Sequence, residues 1–276
     1  MDRLGGSLPV MTTNGAAIAV ESVSKRFAAR GQPAGIVALE NIDLLIQPKE
    51  FVALLGPSGC GKSTLLNIIA GFIPPTSGRV LHMGAPVVRP SRDRTVVFQD
   101  YALFPWMTLQ QNVEFGLKAQ GVSPLERAAT ARGQLARVDL AGFEDRYPHE
   151  ISGGMKQRAA IARALVLNPS VLLMDEPFGA LDAQTRVLLQ EQVARLSGET
   201  GSTIVFVTHS IEEAIFLADR VIVMSPRPGR IRLELKVELP RPRLPEMRKD
   251  AWFVSTGHEL WQSLKSDWQE TKEAGS

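Results

Sequence analysis

The chain has 276 residues, 44% apolar and 22% charged, which suits one domain, or a domain with a modest appendage, and can bury a full core. Its 31 basic and 29 acidic side chains nearly cancel to a formal charge of +2, whereas a generally basic nucleic-acid-binding protein would carry a larger excess. The single cysteine, Cys60, excludes an intrachain disulfide and fits a reducing compartment, and no apolar run approaches the roughly 18 residues needed to span a bilayer.

Residues 1–15 are polar and Gly-rich without a hydrophobic signal core, so they read as a disordered leader, with Met11 an alternative start. Ile18 to Phe27 and Val37 to Ile46 alternate branched apolar and polar side chains. They predict two strands flanking a turn at Gly31 to Gly35. Phe51 to Leu55 is continuously apolar, as a strand buried on both faces should be. A glycine-rich turn and a helical pattern over Ser63 to Ala70 follow it. Further apolar runs at Val171 to Met174, Thr203 to Val207 and Arg220 to Met224 alternate with helical stretches, giving an α/β fold with a mainly parallel core sheet. From about Thr108 to Leu167 no strand is expected. Ser123-Pro124-Leu125-Glu126 predicts a capping box with proline at the first helical position, and Ser210 to Glu213 marks another helix start. After Met224 comes a Pro/Arg-rich stretch, Ser225 to Arg230, and then a strand-like segment. In the tail, Leu260, Trp261, Leu264 and Trp268 fall at helical spacing, expected to pack on the parent domain.

The chemistry begins at Gly56-Pro57-Ser58-Gly59-Cys60-Gly61-Lys62-Ser63, which fits G-x-x-x-x-G-K-[ST] and runs on into Thr64. Glycines let the backbone wrap around phosphate groups with successive N–H groups pointing inward, and the following helix offers its positive end. Lys62 is expected on the β/γ-phosphates and the Ser63 hydroxyl on Mg²⁺. At the end of a buried strand, Asp175 is placed for the Mg²⁺ shell and Glu176 for polarising the attacking water. Cys60, at a helix N-terminus, is expected to react with maleimides and to be protected by ATP.

Ile151-Ser152-Gly153-Gly154-Met155-Lys156-Gln157-Arg158 resembles the signature motif of ABC ATPases, and it precedes Asp175-Glu176-Pro177 and Gly179 to Asp182 in that family's order. Gln99 resembles the Q-loop glutamine and His209 the switch histidine. The resemblance implies a P-loop NTPase core of ABC type, with an antiparallel β subdomain and an inserted α-helical subdomain. The core spans 16–225, the helical insert about 108–167, and the C-terminal extension 226–276. It further implies a head-to-tail dimer of two copies sandwiching ATP. Ser152, Gly153 and Gly154 of one copy would close over the γ-phosphate held by the other, and Asp182 would contact the opposite site. Gln99 would sense Mg²⁺ and water, His209 would contact the γ-phosphate, and Phe27 would stack on adenine. Met155 departs from the glutamine usual in the signature.

One core in the chain argues against the two-core translation factors. The short span from Gly56 to Asp175 leaves no room for the long coiled coils of the chromosome-maintenance branch. A transporter subunit remains, with integral membrane permease subunits on separate chains, an extracytoplasmic solute-binding protein as an indirect partner, and no nucleic acid. The chain would then sit peripherally on the cytoplasmic face of the membrane. Phe104 to Thr108 lies where that family docks a coupling helix. Together with Ser225 to Ile231 it resembles the nitrate/sulfonate/taurine importer branch. Taurine or another alkanesulfonate is the first expectation for the cargo, with nitrate, bicarbonate or cyanate next. A low-turnover, nucleotide-gated regulatory module is the other class.

Overall fold

A computed structural model describes residues 15–29 and 32–273, with side chains over 15–28 and 35–265. Residues 1–14 of the expected leader, Gly31 of the expected turn, and the side chain of Trp268 in the tail stripe lie outside what is described. In chain order the elements are β1 (Ile18–Ala29), β2 (Gln32–Ile46), β3 (Phe51–Leu55), α1 (Lys62–Ala70), β4 (Ser77–His82), β5 (Ala85–Pro86), β6 (Arg94–Val97), α2 (Leu109–Ala119), α3 (Pro124–Arg137), α4 (Gly153–Leu165), β7 (Val171–Asp175), α5 (Ala183–Thr200), β8 (Thr203–Thr208), α6 (Ile211–Leu217), β9 (Arg220–Met224), β10 (Ile231–Lys236) and α7 (Ala251–Glu273). The chain divides into two compact units, one made of residues up to Ser91 and from Thr203 onward, the other of Arg92–Ser202.

In the first unit, β1 pairs antiparallel with β2 and β4, and β4 with β5. The expected turn at 31–35 is largely strand: Phe27 pairs with Ile36 and Ala29 with Gln32, so the hairpin runs further than the alternation alone suggests. The same unit carries β3 between β8 and β9, both parallel to it, with β10 antiparallel on β9. Every residue of β3, β8 and β9 is buried, which is why these strands read as continuous apolar runs. A strand enclosed on both faces and both edges fixes the chain that leaves it. The loop following Leu55 therefore leaves a strand that is paired on both edges.

The tail helix α7 packs on α6, in keeping with the expectation that the tail packs on its parent domain. Phe253, Thr256, Leu260 and Leu264 form the buried stripe, at spacings of three and four residues, while Trp261 is 44% exposed. Trp261 lies one position beyond Leu260 and so points about 100° away from the packed face.

In the second unit, β6 and β7 pair in parallel, and α2, α3 and α4 pack on one another. Ser123 caps α3 by accepting from the Glu126 N–H at 3.4 Å. A fully reciprocal box forms at α2, where Thr108 and Gln111 exchange backbone-to-side-chain bonds of 3.0 and 3.3 Å. Among the described residues, none forms a helix long and apolar enough to cross a membrane.

Candidate functional site

In the first unit, the loop after β3 reverses through Gly59 and Gly61, at φ 79° and 104°, a region that side-chain-bearing residues avoid. Gly61 is the N-cap of α1, and no side chain caps that helix end. A Cβ on Gly61 would stand 2.9 Å from the Ala38 carbonyl, and one on Gly56 would stand 2.9 Å from that of Met224. Both glycines are thus required by space, in a tightly supported cradle. Lys62 is 4% exposed, and its Nζ donates to the carbonyls of Gly56 at 2.9 Å and Pro57 at 3.0 Å. The loop therefore curls around a buried cation, with Ser58 exposed at its tip and Ser63 and Thr64 half-buried in the first turn of α1.

The Pro/Arg stretch after β9 braces this loop, a role that the sequence reading did not assign. Arg227 donates to the Gly59 carbonyl at 3.3 Å, and Gly229 exchanges backbone bonds with Ala38 and Glu40. A Cβ on Gly229 would fall 2.0 Å from the Cys60 carbonyl, so only glycine fits. Cys60 itself is 1% exposed, which overturns the expected maleimide reactivity: a reagent cannot reach the thiol while the loop keeps this form.

His209 follows β8 and is exposed, while Thr208 before it is buried. The Thr208 hydroxyl donates to Glu213 Oε2 at 2.6 Å and accepts from the Ser210 N–H at 2.9 Å. His209 is thus carried on a turn pinned from its inner side. Phe27, 40% exposed on β1, has Lys25 Nζ 5.2 Å from its ring centroid.

In the second unit, β7 ends at Asp175, and Glu176 adopts φ 43°, an uncommon conformation for a residue of its kind. A Cβ on Gly179 would stand 3.4 Å from Gln99 Nε2 and 4.0 Å from Glu176 Oε2, so the amide and the carboxylate approach one point. Ser152 is the N-cap of α4, and its Oγ accepts from the Met155 N–H at 3.3 Å. Gly153 and Gly154 are the first residues of α4. The space a side chain would need is filled from within the unit: a Cβ would lie 3.2 Å from the Tyr101 hydroxyl at Gly153 and 2.4 Å from Thr185 Cγ2 at Gly154. Asp182 caps α5 by accepting from the Thr185 N–H at 2.9 Å. Hydrogen bonds from the Thr185 hydroxyl first, and then from its N–H, hold this carboxyl below its ordinary pKa.

Two residues missed in the sequence organise the segment after Gln99. Arg163 of α4 donates to the carbonyls of Ala102 at 2.6 Å and Tyr101 at 3.1 Å, both residues at positive φ. Asn112, fully buried, accepts from the Phe104 N–H at 2.8 Å and donates to the carbonyls of Phe104, Met107 and Thr108. No local pattern announces such contacts, because their partners are carbonyls of irregular chain. They hold Trp106 outward, 69% exposed. Beside it lies a groove of about 690 Å³, lined by Trp106, Met107, Gln111, Glu114, Phe115 and Lys118.

The ABC transporter family model matches residues 39–179, a span holding the phosphate loop, Gln99, the Ser152–Gly154 segment and Glu176. The chain belongs to the ABC transporter family. It is an ATP-binding transport ATPase of that family and resembles its nitrate/sulfonate/taurine branch. It is 52% identical over 216 residues to the taurine import ATP-binding protein TauB of Burkholderia thailandensis, covering 78% of this chain and 82% of that one. It is 48% identical over 250 residues to the nitrate import ATP-binding protein NrtD of Synechocystis, covering 88% and 94%. A dimeric post-hydrolysis structure of an ATP-binding cassette bound to ADP and Pi matches 81% of this ABC chain and all of its own, with a TM-score of 0.71 at 34% identity. The ABC ATPase fold, with its antiparallel sheet and its helices, agrees with the architecture described above.

Proposed function

We propose that this ABC ATPase energises import of a small anionic or zwitterionic solute, with taurine or another alkanesulfonate first and nitrate, bicarbonate or cyanate as the alternatives. Relatives named for taurine import and for nitrate import support that range. The observation that carries the ATPase part is the buried Lys62 inside a loop where Gly56 and Gly61 leave no room for a side chain. A phosphate chain matches such a cradle in charge and in shape.

In this reading, Gly56 to Thr64 hold the phosphates, Phe27 stacks on adenine, and Ser152, Gly153, Gly154 and Asp182 come from a second copy arranged head to tail. The chain also offers the hard oxygen donors that Mg²⁺ takes: the Ser63 hydroxyl, the Asp175 carboxylate and the Gln99 amide. These residues would hold the ion, which when bound would supply charge neutralisation on the phosphates. Glu176 accepts a hydrogen bond from the attacking water and turns its lone pair toward the γ-phosphate. Gln99 orients the same water, and His209 donates to the γ-phosphate. The groove beside Trp106 receives a helix of an integral membrane permease subunit, which places the ATPase on the cytoplasmic face of the membrane. A solute-binding protein outside the membrane chooses the cargo.

Replacing Glu176 by Gln keeps the shape and removes the base. The variant should bind ATP with unchanged affinity, lose turnover by at least about a hundredfold, and accumulate as an ATP-bound dimer in size-exclusion chromatography. Unchanged hydrolysis would remove Glu176 from its role, and a wild type that already hardly turns over would favour the regulatory-module class. Stimulation of the permease-bound ATPase by solute-binding proteins loaded with taurine or with nitrate would decide the cargo.

A further inference from the structure

The C-terminal extension meets the body of its own unit at α6, the helix that begins two residues after His209. This helix has only seven residues, about two turns, too few to hold its shape or position unaided. Its last carbonyls are taken by two arginines of the extension. Arg241 Nη2 donates to Leu217 O at 3.1 Å, and Arg243 Nη2 donates to Ala218 O at 2.5 Å. Two cations at a helix C-terminus satisfy orphan carbonyls and oppose the negative end of the dipole. Asp219 locks the pair in place: its carboxylate accepts from Arg241 Nε at 2.8 Å and from the Phe51 N–H at 2.9 Å. Arg243 is anchored in turn on the carbonyls of Leu239 and Pro240. Burial, and then the charge of Arg241, lower its pKa to about 10, which leaves it cationic at neutral pH. Further along, the Arg248 guanidinium sits 3.7 Å from the ring centroid of Phe216, and α7 packs on α6.

At the other end of α6, Glu213 accepts the Thr208 hydroxyl, that hydroxyl accepts the Ser210 N–H, and Ser210 Oγ accepts the Glu213 N–H at 3.4 Å. These three bonds close a ring around the backbone of His209. A two-turn helix moves as one rod about 10 Å long, so a shift at its arginine-held end moves Glu213 and, through Thr208, the histidine turn.

We infer that Arg241 and Arg243 of the extension, acting through α6 and the Glu213–Thr208 hydrogen bond, are positioning residues that fix where His209 points. This rests on the reading of His209 as a γ-phosphate contact, and the test separates the two. Arg241→Ala is the variant of choice, because that side chain is one-third exposed whereas Arg243 is almost fully buried. In the full-length protein it should lower kcat for ATP about fivefold and leave KM within about twofold, since the phosphate loop is untouched. Arg241→Lys, which restores a cationic donor, should recover most of that loss. In a His209→Ala background, Arg241→Ala should cost less than about twofold further, because the two act in one chain of contacts. Histidine side-chain NMR spectra of the full chain should show the His209 signals, assigned by their loss in His209→Ala, shifted or broadened in Arg241→Ala, with those of His82 and His149 unmoved. Equal losses in both backgrounds, a KM that rises as kcat falls, or unmoved His209 signals would overturn the inference. A His209→Ala variant with full kcat would instead remove the reading on which it rests. Should Arg241→Ala fail to fold, Arg241→Gln is measured in the same scheme.

Discussion

The phosphate loop of the first unit and the Ser152–Gly154 segment of the second are both glycine-bearing turns that open a helix, yet they use glycine for opposite reasons. In the first, Gly59 and Gly61 are left-handed and the backbone itself demands them. The helix end has no side-chain cap, and a buried ammonium sits in the curl. In the second, Gly153 and Gly154 are ordinary first residues of α4, Ser152 caps them, and what they supply is room, for Tyr101 and Thr185. The first curls its backbone around the Lys62 ammonium. The second is a closely packed helix start that leaves an exposed hydroxyl at its tip. Similar composition therefore conceals two constructions, and substitutions should tell them apart.

The largest effect is expected at the cation. Lys62→Ala removes a charge-assisted contact to the phosphates worth about 3 kcal/mol, so ATP affinity by titration calorimetry should fall roughly a hundredfold. An unaltered affinity would mean that the cradle binds through its amides alone. Next come the two kinds of glycine. Gly61→Ala forces a side chain into φ 104° and against the Ala38 carbonyl, and should destabilise the protein by about 2–4 kcal/mol in chemical denaturation. Gly154→Ala should cost less, about 1–3 kcal/mol, and only through overpacking on Thr185 Cγ2. The comparison is sharpened by Thr185→Ser, which deletes that methyl group but keeps the hydroxyl that bonds Asp182. It should rescue Gly154→Ala, whereas no trimmed neighbour can rescue Gly61→Ala, whose fault lies in the backbone.

The same contrast explains what was legible in advance. The strands β3, β7, β8 and β9 are buried so completely that hydrophobicity alone marks them, and Ser210 declares its cap by its spacing to Glu213. The strand β4 is missing from the sequence reading because only Val80 of its six residues is buried, leaving no alternation to see. The reach of β2 back to Gln32 is equally invisible, since tertiary pairing extends it through a stretch containing proline and glycine. At the site, motifs expose the residues that would touch ligand. They do not expose Arg163, Asn112, Arg227 or Arg241, whose partners are backbone carbonyls of irregular or distant chain. Nor does a thiol beside a helix start reveal that a brace closes over it, as happens at Cys60. Local chemistry is written locally, while long-range polar support is not.

The smallest effect is the most discriminating. Ser152→Ala removes one N-cap whose hydrogen bond is long, 3.3 Å, and exposed, so the loss should lie at about 0.5–1 kcal/mol, with a fall in Tm of about 1–4 °C. That outcome alone says nothing about phosphate. Asparagine and aspartate, however, cap helices as well as serine does, so Ser152→Asn and Ser152→Asp should both keep the wild-type Tm within about 1 °C. If the segment is only a helix start, both should keep full ATPase activity too. If its hydroxyl faces the γ-phosphate held by a second copy, the aspartate puts a negative charge against a negative charge. It should then abolish turnover and ATP-induced dimerisation, while the neutral asparagine loses much less. Stability held constant while activity divides by charge would show that the exposed tip of α4 meets an anion.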